Sequence, residues 1–247
     1  MITMKYKTIF ISDVHLGTTV SQTDKLLKFL KENEFEKLYL VGDIVDMTAI
    51  RRRYFYWNED NNTLLQKILR MARKGIQVEY IVGNHDIFLE FFAHEYFGNI
   101  GLKERDVHVT ANGTRCLVMH GHQFDGVIKK MPLLYWLGDT MYDFALFINI
   151  WFNRIRYLLG KDYWSLSLYL KTKVKNVVKF IGNYEQLVIH EVKKDTSIGA
   201  VIVGHIHMAA DKEISRIRYL NCGCWTEFCS AVVEHEDGRL ELLRIEE

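Results

Sequence analysis

Most of the ten histidines in this chain stand in short polar clusters that also contain aspartates and one asparagine. Carboxylate, imidazole and amide groups in this mixture suit divalent metals of intermediate softness, such as Mn, Fe and Zn. The candidate ligands are Asp13, His15, Asp43, Asn84, His120, His205 and His207. They are more numerous than one tetrahedral ion requires, so the pattern predicts two ions that share a carboxylate. Two ions about 3.5–4 Å apart can clamp a phosphoryl group, which makes phosphoester hydrolysis the favoured chemistry.

Each of these residues also has a simpler interpretation. An isolated His or Asp at a strand end is more often a hydrogen-bonded surface or loop residue, and we interpret four other histidines in this way. They are His94, His108, His190 and His235. The candidate ligands differ because each lies in a polar cluster just after a short apolar run. Asp43 stands between the two groups of ligands and is the expected bridge.

Short apolar runs precede the polar clusters and indicate the elements that position them. Runs of four or five residues rich in Val, Ile and Leu are typical of buried strands. They occupy residues 8–11, 38–41, 78–82, 116–119 and 200–203. Helical patterns at 23–33 and 62–74 separate the first three runs, so the sequence predicts an α/β domain with a largely parallel core sheet. Ligands of such sheets bind at the carboxyl ends of the strands, where these clusters fall.

The segment 127–190 breaks this alternation and is rich in aromatic residues. Its apolar residues recur at helical spacing between Leu137 and Ile155, which predicts one apolar stripe. We therefore expect a single domain over residues 1–247 with a helical insertion, or lid, at 127–190. Packing of the stripe against the rest of the chain is its simplest interpretation.

The overall composition excludes several classes of protein. The chain has 247 residues with a formal net charge of +1, and 49% of its residues are hydrophobic. These values are typical of a globular domain with a sizeable core, and they argue against a protein that binds nucleic acid through bulk positive charge. Four cysteines do not make a disulfide framework in a chain of this size. No secretory signal is visible, so we expect reduced thiols and a cytoplasmic location.

Five motifs occur in order along the chain and together resemble those of the calcineurin-like metallophosphoesterase superfamily. They are Asp13-Val14-His15, Gly42-Asp43 with Asp46, Gly83-Asn84-His85-Asp86, His120-Gly121, and Gly204-His205 with His207. The resemblance implies a fold of two facing mixed β-sheets flanked by helices, an α+β sandwich instead of the single sheet expected from pattern alone. It also implies a metal-dependent phosphoesterase with two divalent ions, Mn first, with Fe, Zn and Mg as alternatives.

The resemblance also assigns a role to each motif residue. The ligands implied for the first ion are Asp13, His15 and His207. Those implied for the second ion are Asn84, His120 and His205, with Asp43 as the bridge. His85 is implied to act on the reacting phosphate as general acid or electrostatic stabiliser, oriented by Asp86. An imidazole suits that role because it exchanges a proton near neutral pH.

Further stretches are similar to the UDP-2,3-diacylglucosamine pyrophosphatase group of this superfamily. They are residues 12–17, 51–53, 163–167 and 173–176. This similarity implies cleavage of UDP-2,3-diacylglucosamine to UMP and 2,3-diacylglucosamine 1-phosphate in lipid A synthesis, with the inserted helices over the acyl chains. Two positions depart from the group, since His85 stands where its members usually have Arg and His122 where they usually have Asp. A phosphoesterase acting on a soluble nucleotide or other phosphodiester is the alternative, and a catalytically silent metal-binding scaffold is a third.

Several other polar residues are candidates for substrate binding. The candidates are Arg51, Arg52, Arg53, Asp125, Thr172, Asn176 and Lys179. Guanidinium groups suit a diphosphate, and residues 172, 176 and 179 share one helical face that could donate hydrogen bonds to a sugar or phosphate. A solvated basic face is the alternative. Lysines at 171, 175 and 179, together with the apolar stripe, also predict peripheral contact with an anionic membrane on its cytoplasmic side.

Overall fold

The computed structural model describes residues 4–51, 55–125, 152–154, 156–159 and 175–245, with backbone alone at 50–51 and 175–179. The chain divides into two compact units, one of Met1–His122 with Ile189–Glu247 and one of Gln123–Val188. Both β-sheets belong to the first unit. The predicted insertion at 127–190 lies mostly outside the described residues and stays a prediction.

The first unit contains a seven-stranded and a five-stranded sheet, and both are mixed. The larger sheet consists of β1 (Met4–Ile11), β2 (Asn33–Val41), β3 (Gln77–Ile81), β4 (Tyr96–Phe97), β5 (Ile100–Lys103), β11 (Ser230–Glu234) and β12 (Leu240–Arg244). Its order is β12-β11-β1-β2-β3-β5-β4, with β1, β2, β3 and β5 parallel. The smaller sheet consists of β6 (Arg105–Val109), β7 (Arg115–Met119), β8 (Ala200–Val203), β9 (Ala210–Ile214) and β10 (Ile217–Asn221), in the order β6-β7-β8-β10-β9.

The central strands are apolar on both faces because each face packs against another layer. Phe10 of β1 belongs to a core shared by the two sheets, together with Val118 and Ile202 of the smaller sheet. Its neighbours Ile9 and Ile11 belong to a second core on the opposite face. This alternation produces the continuous apolar runs seen in the sequence. The two facing mixed sheets confirm the fold that the resemblance implies, and the single sheet expected from pattern alone is wrong.

Helices cover the outer face of the larger sheet. They are α1 (Thr23–Glu32) and α3 (Glu59–Arg73), and a short helix, α2 (Met47–Arg51), lies between them in the chain. Helix α1 buries Leu26, Phe29 and Leu30, and this spacing places one apolar stripe against the second core. Helix α3 begins after Asn58, whose side chain accepts a hydrogen bond from the Asn61 amide at 2.9 Å and so caps the first turn.

A fourth helix, α4 (Lys175–Val192), begins in the second unit and ends in the first. Within the second unit Tyr184 is fully buried, and its ring meets that of Phe124 edge to face with centroids 6.2 Å apart. Among the described residues, no helix has the length and apolar character needed to cross a bilayer.

Candidate metal centre

The seven predicted ligands follow the carboxyl ends of five strands, β1, β2, β3, β7 and β8. The loop after β1 runs beside the loop after β2, since the amides of Asp13 and His15 donate to the carbonyls of Gly42 and Asp43 at 3.1 and 3.0 Å. In the smaller sheet, the Gly204 amide donates to the His120 carbonyl at 3.1 Å. These backbone bonds extend the strand pairing past the strand ends and bring the polar clusters to one edge.

Five of the predicted ligands have a left-handed backbone. The φ angles are 52° at Asp13, 52° at His15, 54° at Asp43, 71° at His205 and 54° at His207. Residues other than glycine rarely adopt this region, which costs roughly 1–2 kcal/mol each. Strained backbone conformations of this kind are found mainly at functional sites, where contacts with the surrounding structure stabilise them.

Two motif glycines allow the ligands to approach one another. Gly42 has φ +77°, and a Cβ at this position would collide with the ring of His120. A Cβ at Gly204 would lie 2.5 Å from Asp13 Oδ2 and 2.6 Å from Ser12 Oγ. A larger residue at either position would therefore displace a candidate ligand.

The first group of ligands consists of Asp13, His15 and His207. Asp13 Oδ1 lies 3.1 Å from His207 Nε2, and the Nε2 atoms of His15 and His207 are 3.2 Å apart. Within the part of the chain that the structure describes, the buried Oδ1 atom accepts no hydrogen bond of acceptable geometry. One carboxylate oxygen and two imidazole nitrogens thus converge on one point, and such donors suit a divalent ion of intermediate softness.

The second group consists of Asp43, Asn84, His120 and His205. His120 Nδ1 lies 2.9 Å from the Val41 carbonyl and must donate to it, so the lone pair of the neutral ring is on Nε2. That Nε2 atom lies 3.2 Å from Asp43 Oδ2 and 3.2 Å from Asn84 Oδ1. A proton or a metal ion must therefore lie between Nε2 and these two oxygens, and the three donor atoms fit a divalent ion. His205 joins Asp43 and His120 in this cluster.

The side chain of Asp43 lies between the two groups. Its Oδ2 atom is 3.2 Å from His120 Nε2 and 3.9 Å from His15 Nε2. Its Oδ1 atom accepts the His85 amide at 2.8 Å, which orients the carboxylate. This position is the one that a bridging ligand would take.

The electrostatics of the centre favour bound cations. Burial alone would lower the pKa of His120, but the Asp43 carboxylate outweighs burial and raises that pKa to about 10. Burial likewise opposes protonation of His207, yet Asp13 raises the pKa of His207 to about 10. Burial would raise the pKa of Asp13, and His207 instead lowers it to about 2. The negative potential that holds protons on these imidazoles would equally hold metal ions.

Asp46, and not Asp86, contacts the imidazole of His85. His85 Nδ1 lies 3.0 Å from Asp46 Oδ1. Asp86 Oδ1 accepts a hydrogen bond from the Gly83 amide at 2.6 Å, and Asp86 Oδ2 accepts one from the Ile44 amide at 3.0 Å. This carboxylate therefore connects the loop after β3 to the loop after β2. The expectation that Asp86 orients His85 therefore needs correction, because adjacent residues in this turn direct their side chains to different partners. Burial opposes protonation of His85, but the hydrogen bond to Asp46 raises its pKa.

Three residues close to the ligands had no assigned role in the sequence. Asp46 is the last residue of the Gly-Asp-x-x-Asp motif, and its place in that motif is the sequence feature that could have indicated a role. The His122 ring lies 5.5 Å from the His120 ring between centroids. The Cys224 thiol hydrogen-bonds His207; burial raises its pKa, but His207 outweighs burial and lowers that pKa to about 7. All four cysteines are free and buried, in agreement with the expected reduced thiols.

The substrate-binding predictions are mostly not tested by the described residues. Arg52, Arg53 and Thr172 lie outside them, and Arg51, Asn176 and Lys179 are described by backbone alone. Asp125 follows a short 3-10 turn, His122–Phe124, and is partly buried. All seven stay predictions.

Comparison with known families agrees with this fold and site. The family model described as calcineurin-like phosphoesterase matches residues 6–209, a range that contains all seven candidate ligands. The chain belongs to the calcineurin-like phosphoesterase family.

Individual relatives are more distant. The chain is similar to a UDP-2,3-diacylglucosamine hydrolase of Histophilus somni, with 30% identity over 127 residues that cover 47% of this chain and 49% of that protein. It is 22% identical over 267 residues to a protein of the same name from Porphyromonas gingivalis, covering 93% and 94%. It is 24% identical over 263 residues to the DNA polymerase II small subunit of Methanothermobacter thermautotrophicus, covering 91% and 49%. The chain thus spans about half the length of the first and third of these relatives.

Among solved structures, a hypothetical protein from Pyrococcus horikoshii aligns with a TM-score of 0.52 at 12% identity. The alignment covers 98% of this chain and 88% of that one. At this identity the likeness shows a shared fold.

Proposed function

We propose that this chain is a dinuclear-metal hydrolase whose preferred substrate is UDP-2,3-diacylglucosamine, cleaved to UMP and 2,3-diacylglucosamine 1-phosphate. The observation that carries the hydrolase proposal is the position of His120 Nε2, 3.2 Å from both Asp43 Oδ2 and Asn84 Oδ1. In this geometry Nε2 faces two oxygen acceptors, and a metal ion among these three atoms would take the place of the proton that otherwise lies there. Asp13, His15 and His207 would hold one ion, and Asn84, His120 and His205 the other, with Asp43 between them.

Different residues of the chain would bind the metal ions and transfer the proton. Two divalent ions at this site would supply activation of water and stabilisation of charge on the phosphoryl oxygens. His85 is held through Nδ1 by Asp46, whose hydrogen bond raises the pKa of the imidazole above its ordinary value. As the water oxygen bonds to phosphorus and the bond to the leaving oxygen breaks, the His85 imidazolium donates its Nε2 proton to that oxygen and is left as the neutral ring protonated at Nδ1. The water proton passes to solvent.

An exposed apolar surface supports a lipid-linked substrate. We call it the aromatic ridge; it consists of Ile87, Phe88, Phe91, Phe92, Tyr96 and Phe97. It begins two residues after His85, in a 3-10 helix (Ile87–Phe92) that buries none of its residues. Phe91 is 89% exposed. Soluble proteins seldom expose contiguous apolar patches without a binding role, and acyl chains are partners of matching chemistry.

Two further observations support the substrate and one favours an alternative. The relatives from Histophilus somni and Porphyromonas gingivalis carry the name UDP-2,3-diacylglucosamine hydrolase. A phosphoesterase of a soluble nucleotide or another phosphodiester is the second candidate, because a relative whose name concerns DNA, the DNA polymerase II small subunit, matches over 91% of this chain. Contact with an anionic membrane rests on lysines at 171, 175 and 179, whose side chains lie outside the described residues.

The test compares substrates on the purified, metal-supplemented chain. UDP-2,3-diacylglucosamine in mixed micelles, bis-p-nitrophenyl phosphate and a cyclic nucleotide are assayed with Mn²⁺, and again after chelation. We expect the highest kcat/KM on the lipid nucleotide and no turnover after chelation. Preference for the soluble compounds would favour the second candidate. A metal-replete chain that is inactive on every ester would overturn the hydrolase proposal.

A further inference from the structure

Thr48 occupies a position between the two side chains that prepare His85. Its hydroxyl donates to Asp46 Oδ1 at 2.8 Å, and its Oγ1 atom lies 3.0 Å from His85 Nδ1. His85 Nδ1 is also 3.0 Å from Asp46 Oδ1. The three atoms therefore form a small triangle in which each is within hydrogen-bond distance of the other two.

The protons in this triangle can be placed by elimination. A lone pair on His85 Nδ1 would face the carboxylate oxygen of Asp46 and be repelled, so Nδ1 carries a proton. The Thr48 hydroxyl has one proton, which it gives to Asp46, and its oxygen lone pairs then accept from His85. His85 Nδ1–H thus has two acceptors, and Nε2 is the ring nitrogen that remains for the substrate.

The same carboxylate has two further contacts. Asp46 Oδ1 accepts the Ala49 amide at 2.8 Å, and Asp46 Oδ2 lies 3.2 Å from His15 Nδ1. Asp46 contacts both His15 and His85, whereas the hydrogen bonds of the Thr48 hydroxyl within the described part of the chain go to Asp46 and His85 and to no candidate metal ligand. It can therefore act on the imidazole of His85 selectively.

We propose that Thr48 is a positioning residue that fixes the ring orientation of His85 and keeps its Nδ1 protonated, so that Nε2 is the nitrogen that gives up and regains a proton. The proposal rests on the hydrolase function proposed above, in which His85 gives its Nε2 proton to the leaving oxygen. Loss of the hydroxyl should then matter most when the leaving group needs that proton. A leaving group that is stable as an anion should be nearly indifferent to it.

The experiment compares Thr48→Val, which keeps the side-chain shape, with Thr48→Ser, which keeps the hydroxyl. Diphenyl phosphate provides a poor leaving group and bis-p-nitrophenyl phosphate a good one. For T48V we expect kcat on diphenyl phosphate to fall roughly tenfold or more, the usual size of such supporting effects. The fall on bis-p-nitrophenyl phosphate should stay below about threefold. T48S should restore both values, and Thr63→Val, which removes an exposed hydroxyl on α3, serves as the matched control.

Equal losses on both esters, or no rescue by serine, would overturn the proposal. The tautomer gives a second readout that does not depend on turnover. In histidine-labelled chain with Mg²⁺ at pH 9, the ¹⁵N shifts of His85 should show a protonated Nδ1 in wild type and a mixed population in T48V, with assignment by His85→Gln. A wild-type His85 protonated at Nε2 would also overturn it. Failure of the hydrolase proposal is distinguished because the wild-type chain would then cleave neither ester.

Discussion

Asp46 Oδ2 lies 3.2 Å from Nδ1 of His15, so a residue outside the predicted ligand set holds the ring of a predicted ligand. Because His15 donates from Nδ1, its Nε2 lone pair is available to a metal ion. The other oxygen of Asp46 lies 3.0 Å from His85 Nδ1. One carboxylate thus connects the metal centre to the proposed proton donor.

This connection predicts that Asp46→Ala weakens metal binding and catalysis together. Loss of the partner of His15 should lower Mn²⁺ affinity roughly 10–100-fold, which calorimetric titration measures. At saturating Mn²⁺, kcat should remain reduced because His85 has lost its partner as well. Asp24→Ala, at an exposed position on α1, is the control and should change neither value. Full recovery of kcat at high Mn²⁺ would limit the role of Asp46 to the metal.

Substitution of the shared ligand and of a ligand in one group should remove different numbers of metal ions. Asp43→Ala should remove both ions because its carboxylate lies between the groups, whereas Asn84→Ala should remove one and leave the ion held by Asp13, His15 and His207. Metal content by plasma mass spectrometry measures this, with circular dichroism to confirm the fold. Activity should fall by about a thousandfold or more in both variants. Normal turnover by either variant would contradict the dinuclear site.

The pKa shifts predict how metal and pH affect stability. In the metal-free chain His120 and His207 have pKa values of about 10, above the usual 6.5, so their ion pairs stabilise the fold fully below pH 6.5. That contribution is lost as the pH rises toward 10. Asp13, with its pKa lowered to about 2, contributes above pH 3.8 and loses its contribution as the pH falls toward 2.

Thermal melts of the chelated chain should therefore show Tm falling between pH 6.5 and 9. The Mn²⁺-loaded chain should not show this fall, because the ion takes the place of the protons. Calorimetry in buffers of different ionisation enthalpy should also detect proton release on metal binding at pH 7. A Tm that rises with pH in the chelated chain would show that these imidazoles are not protonated as described.

Much of the metal site could be predicted from the sequence, for a physical reason. Carboxyl ends of parallel strands meet at one edge, so polar residues just after apolar runs converge whatever their separation in the chain. The pairing of His85 with Asp46 could not be predicted, because it depends on how the turn after β3 directs successive side chains. The second sheet could not be predicted from the apolar pattern either. A strand buried on both faces has the same pattern whether helices or another sheet pack against it.

The packing of Gly42 against His120 predicts an effect on both stability and metal binding. Gly42→Ala places a Cβ against the imidazole at φ +77°, so it adds a collision to backbone strain. We expect a loss of about 1–3 kcal/mol in the free energy of unfolding, together with weaker Mn²⁺ binding. Gly113→Ala is the matched control because Gly113 has φ +86° and nothing within 4 Å of the added Cβ. Equal losses in the two variants would assign the whole effect to backbone strain.

The aromatic ridge predicts a separation between lipid and soluble substrates. Phe91 is 89% exposed, so Phe91→Glu should leave the fold and the metal centre intact. If the ridge contacts acyl chains, this variant should lose roughly tenfold or more in kcat/KM on micellar UDP-2,3-diacylglucosamine, since burial of one phenyl ring contributes about 1.5–3 kcal/mol. Its kcat/KM on bis-p-nitrophenyl phosphate should stay the same.

Val109→Glu is the control for added charge on an exposed apolar position, because Val109 is 52% exposed on β6. It should affect neither substrate. Flotation with phosphatidylcholine vesicles gives an independent measure, in which Phe91→Glu should bind less than wild type and Val109→Glu should bind equally. Because Glu90 and Glu95 lie within the ridge segment and are exposed, its contact with a bilayer should depend on hydrocarbon burial more than on anionic lipid. Equal activity of Phe91→Glu and wild type on the lipid substrate would show that the ridge does not bind the substrate. It would favour soluble phosphodiesters as the substrate class.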